Sequence, residues 1–339
     1  MKERQTYING EWIDESKASI HIYDSQFMFG DGVFEMARTF NHEFFLLEEH
    51  IERLFRSMKY LQIPITKTKE EVINLCEEAF ERNKEYFTGN AGGEYPEECR
   101  ILINVSRGPL GIYREVFELT RGEKWNEPTW IINVWQLSKT SRGLAHFFEH
   151  GADAIIPSQR QIPSRLLENK VKNRSRLHYQ MANLQVKSHG VEAVPLLLDE
   201  DGFITESTGA NFIMIENGKI ITPELRNMLR GSSMMYILET IAPQLGLEVI
   251  HKNFEPYDVM NCEEAMFTGT FVNLLPCNRL NGAYFNEARK ENPIGPVTQK
   301  ICDQWSHNVG MPFMKQIKYW ARDFPVHNLS KSLLGGTGD

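Results

Sequence analysis

The stretch ENKVKNRSRLHYQMANLQVKSHG, residues 168–190, concentrates basic side chains in one short segment. It contains Lys170, Lys172 and Lys187, together with two arginines. The whole chain carries a formal net charge of -8, so this basic segment is a local feature. A small anionic ligand is a natural partner for such a segment.

The segment also contains a helical pattern. Leu177, Met181 and Leu184 recur at i, i+4 and i+7, which predicts a stripe that faces the core. Asn173 is a suitable N-cap, and Gly190 stands where a left-handed cap commonly ends a helix. This pattern predicts a helix that begins just after Asn173.

The predicted helix separates the three lysines. Lys187 falls in the last turn, where the helix dipole favours a cation, so its position needs no further explanation. Lys172 falls at the junction of loop and helix, where a side chain can be directed into a cleft. Lys170, two residues upstream, is its rival for a chemical role.

Length and composition restrict the classes of protein to consider. The 339 residues suggest two domains, and 41% hydrophobic with 24% charged residues is typical of a globular chain. The negative net charge argues against generic binding to nucleic acid or anionic membrane. The scattered, odd set of five cysteines forms no CxxC and indicates reduced thiols in the cytoplasm. We expect no membrane span and no metal site.

The order of periodic segments predicts an α+β fold with two domains. Strand and helix patterns alternate in a smaller N-terminal α/β domain, residues 1–136, and a polar linker follows at 137–143. A larger strand-rich domain is expected over 144–320, with a frayed tail at 321–339. Asn9-Gly10 and Asn41-His42 mark two hairpin turns, and TGNAGGEYPEE, residues 88–98, reads as an exposed loop.

A lysine amine becomes a catalyst when it bonds to a carbonyl, commonly that of pyridoxal phosphate (PLP). The pyridine nitrogen of PLP requires a buried carboxylate, for which Glu206 in FITESTGANF is a candidate, although a surface turn acid is an alternative. The phosphate requires helix N-terminal N–H groups, hydroxyls and an arginine. The candidates, each of which also has an ordinary structural explanation, are Ser232 and Ser233 in LRGSSMMYILETI, Thr268 and Thr270 in MFTGTFVNLLP, and Arg53 in HIERLFRS.

The ordered set of motifs resembles the fold-type IV (class IV) PLP-dependent aminotransferases, which include the branched-chain and D-amino acid enzymes. FGDGVFEMARTF, LEEHIERLFRS, TESTGANF, MLRGSS and FTGT carry the resemblance, which extends from about Tyr7 to Gly310. It implies two domains, the larger a pseudo-barrel, and a PLP cofactor. It also implies Lys172 as the catalytic and cofactor-binding lysine, and places Glu206 at the pyridine nitrogen. The phosphate ligands would be Arg53, Ser232, Ser233 and Thr270.

The sequence departs from the relatives at positions that bear on the substrate. Leu177 stands where branched-chain enzymes usually carry a tyrosine, and Tyr179 follows two residues later. Ile112 stands where D-amino acid enzymes carry a carboxylate-binding arginine, and Arg114 lies two residues further on. Met36 occupies a position that is often glycine. These departures leave the preferred substrate open.

The resemblance implies a ping-pong transaminase that uses an amino donor, branched-chain or hydrophobic amino acids being favoured, and a 2-oxo acid acceptor. The alternatives are an (R)-amine or D-amino acid transaminase, a lyase similar to aminodeoxychorismate lyase, and a binder of phosphate ligands without catalysis. Phe34, Arg38 and Arg114 are candidates for substrate binding. Arg174 and Arg176 either bind a substrate carboxylate or are solvated helix charges. The resemblance further implies a homodimer.

Overall fold

The computed structural model describes residues 3–88, 93–121, 126–190 and 192–322. The chain divides into two compact units, and each contains its own sheet. The first unit comprises Met1–Leu137 together with Val171–Arg176, and the second comprises Ser138–Lys170 and Leu177–Asp339. The predicted α+β fold with two domains is confirmed.

The first unit is built on a six-stranded antiparallel sheet with the order β2-β1-β6-β5-β3-β4. Both predicted hairpins are present, since Asn9, Gly10, Asn41 and His42 all have the positive φ angles that such tight turns require. The strands are β1 (Gln5–Ile8), β2 (Glu11–Asp14), β3 (Gly32–Phe40), β4 (Glu43–Phe45), β5 (Cys99–Ser106) and β6 (Thr129–Gln136).

Two long helices of this unit bury their apolar faces in its core. Ile51, Leu54 and Met58 of α2 are fully buried, as their helical spacing predicts, and Val72 of α3 joins the same core. The helices of the unit are α1 (Ser25–Phe29), α2 (Leu47–Tyr60), α3 (Lys69–Arg82), α4 (Glu85–Thr88) and α5 (Gly111–Arg121).

The second unit contains a mixed sheet with the strand order β11-β10-β9-β12-β13-β7-β8, and β14 pairs with β13. Parallel pairing occurs between β7 and β8, β7 and β13, and β10 and β11. The strands are β7 (Ala152–Ile155), β8 (Ala193–Pro195), β9 (Asn211–Glu216), β10 (Lys219–Thr222), β11 (Val249–His251), β12 (Glu264–Gly269), β13 (Asn273–Leu280) and β14 (Ala283–Tyr284).

The second unit also contains nine α-helical segments over its described residues. They are α6 (Ser138–Ser141), α7 (Phe147–His150), α8 (Leu177–Val186), α9 (Ser232–Tyr236), α10 (Ala242–Leu245), α11 (Pro256–Met260), α12 (Ala288–Glu291), α13 (Pro296–Asn308) and α14 (Phe313–Ala321). A π-helical turn, Ile237–Ile241, joins α9 to α10.

The domain boundaries expected from the sequence stay predictions. Within the predicted linker, 137–143, the chain forms α6 and then enters a short 3-10 helix, Arg142–Leu144. We predicted Val171–Arg176 to lie within the larger domain, and in the structure this segment belongs to the first unit. Most of the predicted tail, from residue 323 onward, lies outside the described residues.

The prediction for the helix of the basic segment was wrong in two respects. Helix α8 begins at Leu177, and Asn173 instead accepts a hydrogen bond from the backbone N–H of Ser175. The predicted core stripe of Leu177, Met181 and Leu184 is 74%, 43% and 52% exposed. The helix begins late because residues 172–174 pair with a strand, which requires extended backbone.

The prediction of an exposed loop over residues 88–98 was also wrong for the last residues of that segment. Glu97 and Glu98 are buried, and Glu98 accepts hydrogen bonds from the hydroxyl of Thr39 and the backbone N–H of Asn41. A buried carboxylate requires such donors, and the composition of the loop gave no sign of them. Over the described ranges, no helix is long and apolar enough to cross a membrane.

Candidate functional site

Lys172 is held by backbone pairing with the first residues of β3. The backbone N–H of Phe34 donates to the carbonyl of Lys172 at 2.9 Å, and the N–H of Arg174 donates to the carbonyl of Gly32 at 2.9 Å. Asn173 lies opposite Val33 as an isolated bridge. Strand β4 pairs only with Arg38–Phe40, so the start of this edge of β3 is available to residues 172–174.

Two glycines before and within β3 leave room for their neighbours. Gly30 has φ +68°, and a Cβ there would lie 2.8 Å from the Oγ of Ser175. A Cβ at Gly32 would lie 2.4 Å from the Oε1 of Gln26 and 3.1 Å from the carbonyl oxygen of Val105. Gly30 therefore supplies space for the segment that contains the lysine, whereas Gly32 leaves room for Gln26 and the backbone of β5.

The alternation of side chains along β3 separates two groups of residues. Val33, Glu35 and Ala37 are buried on one face, and Phe34, Met36 and Arg38 point to the other. The second face is shared with Asn104 and Arg100 of β5, which stand opposite Phe34 and Arg38 in the antiparallel register. One strand thus supplies groups to two different environments.

On the buried face, Glu35 binds Arg53 and His50 of α2. The Nε and Nη2 of Arg53 donate to the two carboxylate oxygens of Glu35 at 2.6 and 2.7 Å, and the Nδ1 of His50 donates at 2.7 Å. All three side chains are more than nine-tenths buried. This bidentate arrangement fixes the plane of the Arg53 guanidinium.

Burial and pairing act in opposite directions on Glu35. Burial by itself raises the pKa of the Glu35 carboxyl, but the Arg53 charge and the hydrogen bonds from Arg53 and His50 hold that pKa well below its ordinary value. Burial lowers the pKa of His50 despite its hydrogen bond to Glu35. The cluster therefore contains an ionised Glu35, a charged Arg53 and a neutral His50 at neutral pH.

On the opposite face, Phe34 is surrounded by basic groups. The Lys172 Nζ lies 4.9 Å from the centroid of the Phe34 ring, and the Arg174 Cζ lies 3.8 Å from it. Arg174 donates its Nε to the Oδ1 of Asn104 at 2.7 Å, and its Nη2 bonds to the same oxygen. The predicted residues Lys172 and Phe34 are therefore neighbours in this unit.

The other two candidates for substrate binding have other partners within the unit. Arg38 is 1% exposed, donates to the carbonyl of Thr39, and places its Cζ 3.9 Å from the Phe40 ring centroid. Arg114 lies on α5 and donates to the carbonyl of Pro109. These two hydrogen bonds lie within the first unit, and the roles of both arginines in substrate binding remain predictions.

The rival lysines have ordinary surroundings. Lys170 forms an ion pair with Glu168 at 2.8 Å, and its side chain is one-third exposed. Lys187 is exposed in the 3-10 turn that follows α8, as its helix-end position predicts. Among the three lysines, Lys172 is the one that backbone pairing fixes beside a cluster of basic groups.

In the second unit, Glu206 is 5% exposed and accepts four hydrogen bonds. Its Oε1 accepts from Gln161 at 2.9 Å and from the Tyr179 hydroxyl at 3.0 Å. Its Oε2 accepts from Asn211 and from the backbone N–H of Leu229, both at 3.1 Å. A carboxylate offers about four acceptor positions, so these neutral donors match the ionised group.

Asn211 connects Glu206 to the start of the next helix. Its Nδ2 donates to Glu206 and, at 2.8 Å, to the carbonyl of Leu229. A Cβ at Gly231 would lie 2.1 Å from the Oδ1 of Asn211, so only glycine fits against this side chain. The acidic motif and the MLRGSS motif are thus parts of one packed cluster in this unit.

Ser232 and Ser233 form the first turn of α9, with Gly231 as the N-cap. Glycine has no side chain to cap the helix, and the first N–H groups of any helix lack partners within it. Ser233 is 4% exposed, whereas Ser232 is partly exposed. This helix start has the chemistry of an anion-binding site.

Thr270 lies in the turn between β12 and β13, closed by a hydrogen bond from the N–H of Val272 to the carbonyl of Gly269. A Cβ at Gly269 would lie 3.2 Å from the carbonyl oxygen of Gly209, in the turn that follows Glu206. Thr268, the other hydroxyl considered, is buried and donates to the carbonyl of Asn273. Thr270 is the partly exposed hydroxyl of this pair.

The sequence did not reveal several residues that surround Glu35, Phe34 and Glu206. Glu35, His50 and Asn104 were not identified, and neither were Gln161 and Asn211. Asn211 had a detectable signal, because it follows Glu206 across a four-residue turn of small side chains. Gln161 had none, since its contact with Glu206 joins residues 45 positions apart.

Comparisons with known proteins identify a family and several relatives. The family model for amino-transferase class IV matches residues 32–280. A Methanocaldococcus jannaschii protein named "Putative branched-chain-amino-acid aminotransferase" is 29% identical over 300 residues, which cover 88% of this chain and 94% of that protein. The aminodeoxychorismate lyase of Bacillus subtilis is 27% identical over 278 residues, 81% of this chain and 86% of the lyase. A D-alanine aminotransferase of Listeria monocytogenes is 24% identical over 294 residues, 87% of this chain and 92% of that enzyme.

The fold has close counterparts among solved structures. The branched-chain amino acid aminotransferase of Escherichia coli superimposes with a TM-score of 0.75 at 22% identity, over 91% of this chain and 94% of the other. At this level of identity, the likeness concerns the fold.

The Glu35 cluster yields a stability prediction. Glu35→Gln leaves the Arg53 charge buried without its anion, so we expect a loss of about 3–5 kcal/mol in the free energy of unfolding at pH 7. The folded-state pKa is depressed, so wild type loses this stabilisation as pH falls below the unfolded-state pKa of about 4.3. Urea unfolding of wild type and Glu35→Gln between pH 7 and 3 should show that the difference between their free energies of unfolding becomes smaller in acid.

Glu52→Gln is the matched control. Glu52 precedes Arg53 on α2, and its exposed ion pair with Lys69 of α3 is worth at most about 1 kcal/mol. Equal destabilisation by the two substitutions, or a difference that stays constant down to pH 3, would contradict the ionised cluster.

Proposed function

The chain belongs to the class IV aminotransferases, a family of PLP-dependent enzymes, and we propose that it transfers the amino group of a branched-chain or other hydrophobic amino acid to a 2-oxo acid. The observation that carries the proposal is the fixed position of Lys172. Backbone pairing on β3 places its amine beside Phe34, within the residues 32–280 that match the family.

The donor sets of both units fit PLP by their chemistry. Lys172 would bond to the carbonyl of the cofactor. Glu206, which accepts four hydrogen bonds from neutral donors, would exchange one of them for the N–H of the pyridine ring. Arg53, with the start of α9 at Ser232 and Ser233 and the turn hydroxyl of Thr270, would hold the phosphate. The start of α9 supports this assignment, because its N-cap, Gly231, has no side chain that could cap the first N–H groups of the helix.

PLP, when bound, supplies an electron-accepting ring that stabilises negative charge at the substrate Cα. The residues of this chain supply proton transfer and position. Lys172 Nζ would take the proton from the substrate Cα and deliver it to C4′ of the cofactor. Glu206, held by Gln161, Tyr179, Asn211 and Leu229, keeps a proton on the ring nitrogen. Each half of the ping-pong cycle uses the same groups.

The apolar character of the Phe34 face supports the choice of substrate. Phe34 and Met36 of β3 and Leu102 of β5 share one face of the sheet and are partly buried. An apolar amino acid side chain gains about 25 cal/mol per Å² when it is removed from water against such residues. The branched-chain enzymes among the relatives point in the same direction.

We further propose a homodimer. Leu177, Met181 and Leu184 form an apolar stripe on α8 that the chain leaves exposed, and apolar stripes of this kind commonly bury themselves against a partner. Sedimentation should give twice the 39.3 kDa mass of the chain, and Leu184→Glu should shift it toward that of one chain. A wild-type protein that sediments as a monomer at micromolar concentration would exclude the dimer.

A cytoplasmic location is also part of the proposal. All five cysteines are free and buried, as in a protein that matures in a reducing compartment. Alkylation of the denatured protein without a reductant should modify all five thiols. A disulfide found in the purified protein would count against this location.

Lys172→Ala tests the catalytic assignment. We expect loss of the visible absorbance of bound PLP that borohydride abolishes in wild type. Transamination should fall about 10²–10⁴-fold or more, because both the covalent bond and the proton transfer depend on this amine. Lys170→Ala is the matched control and should retain both properties. A Lys172→Ala protein with the absorbance and full activity would reject the assignment.

A panel of amino donors tests the substrate proposal. L-leucine, L-valine, D-alanine and (R)-1-phenylethylamine are compared with 2-oxoglutarate and pyruvate as acceptors, and we expect the branched-chain donors to give the highest kcat/KM. Release of pyruvate from an aminodeoxychorismate substrate without any acceptor would instead indicate a lyase, as in the Bacillus subtilis relative. Preference for the D-amino acid or the amine would reject the branched-chain assignment.

A further inference from the structure

Three basic side chains gather on Phe34 within the first unit. The Lys172 Nζ, the Arg174 Cζ and the Arg176 Cζ lie 4.9, 3.8 and 5.5 Å from the centroid of the Phe34 ring. Lys172 and Arg174 are two residues apart on a segment in extended pairing with β3, so their side chains leave the backbone on the same side. A molecule that reacts at Lys172 is therefore within reach of Arg174.

Neutral groups hold the Arg174 guanidinium in place. The Nε of Arg174 donates to the Oδ1 of Asn104 at 2.7 Å, and the Nη2 of Arg174 donates to the same oxygen. Asn104 is 8% exposed. The ring of Phe34 lies against the plane of the Arg174 guanidinium. These contacts use two of the five N–H donors of the guanidinium and fix its orientation.

Arg174 contrasts with other arginines of the same unit. Four of them form ion pairs with carboxylates, namely Arg4 with Glu15, Arg53 with Glu35, Arg82 with Glu78 and Arg107 with Asp31. Over the described parts of the chain, no carboxylate contacts Arg174. Its charge is thus partly buried on a residue whose hydrogen-bond acceptor is a neutral amide.

The charges that act on Arg174 are positive. Burial lowers the pKa of Arg174 to about 10, and the charges of Arg176 and Arg100 lower it as well. Arg174 nevertheless stays protonated at neutral pH. A partly buried cation beside other cations is costly, and an anionic ligand would offset that cost.

We propose that Arg174 binds a carboxylate group of the substrate, and that Asn104 and Phe34 position its guanidinium for this contact. The inference deepens the proposed function, since it names the recognition element for the acid group shared by amino acids and 2-oxo acids. The planar fork matches a carboxylate in a bidentate geometry, and Asn104 orients the fork without neutralising it.

The first test replaces Arg174 in the full-length protein reconstituted with PLP. Arg174→Gln should raise the KM for 2-oxo acids about 10–100-fold, the amount expected for losing a hydrogen bond to a charged group, with a smaller change in kcat. Lys187→Gln removes the same charge from an exposed helix end and is the control. Arg174→Lys keeps the charge but loses the planar fork, so its KM should lie between the values for Arg174→Gln and the control.

A comparison of two acceptors, 2-oxoglutarate and pyruvate, shows which substrate carboxylate Arg174 binds. A rise in KM for 2-oxoglutarate alone assigns Arg174 to the distal carboxylate, and a rise for both 2-oxoglutarate and pyruvate assigns it to the carboxylate next to the reacting carbonyl. Unchanged KM values for both acceptors overturn the proposal.

Asn104→Asp separates recognition from a merely structural role. It keeps the shape of the side chain and gives Arg174 an internal carboxylate partner, which competes with the substrate. We expect the melting temperature to stay or rise while the KM for 2-oxo acids increases at least about tenfold. If Arg174 served only the packing around Phe34, this substitution would leave the KM unchanged.

A binding measurement distinguishes failure of this inference from failure of the proposed function. Calorimetric titration with glutarate, a dicarboxylate that does not react, should show binding to wild type and to Lys187→Gln and at least tenfold weaker binding to Arg174→Gln and Asn104→Asp. Absence of transamination would reject the proposed function while this titration still decides the role of Arg174. Equal glutarate affinity of wild type and Arg174→Gln, or no binding to wild type, overturns the inference.

Discussion

The pairing of residues 172–174 with the first residues of β3 is the interaction on which the candidate site of the first unit depends. Two backbone hydrogen bonds, from Phe34 to Lys172 and from Arg174 to Gly32, convert a distant segment into an extra edge of the sheet. Because backbone pairing sets the direction of alternate side chains, it places Lys172 and Arg174 together beside Phe34. Gly30 matters because it leaves room for Ser175, which directly follows the paired residues.

Strand β3 also explains how one segment contributes to two chemical environments. Its alternation places Glu35 among Arg53 and His50 on the buried face and Phe34 beside Arg174 on the other. The two arginines are fixed by different means. Arg53 is paired with a carboxylate, while Arg174 is held by a neutral amide that does not offset its charge.

The motifs were a sound guide to the chemistry and a poor guide to the surroundings of each residue. Lys172 and Glu206 were identified from short segments, because their candidacy depends on local order along the chain. The helix of the basic segment was misplaced, because its apolar spacing fits a buried stripe while strand pairing holds the preceding residues extended. Glu98 shows the same limit, since its donors come from Thr39 and Asn41 far away in sequence.

The sequence by itself determined the α+β class, the hairpins at Asn9-Gly10 and Asn41-His42, the amphipathic helix α2 and the order of motifs that defines the family. These features depend on periodicity and turn residues, which neighbouring positions encode. Only the tertiary structure decided that Glu35 holds Arg53, that four donors converge on Glu206, and that Arg174 contacts Asn104. Most of these contacts join residues far apart in sequence, up to 70 positions for Arg174 and Asn104, and long-range packing, which local patterns do not encode, brings them together.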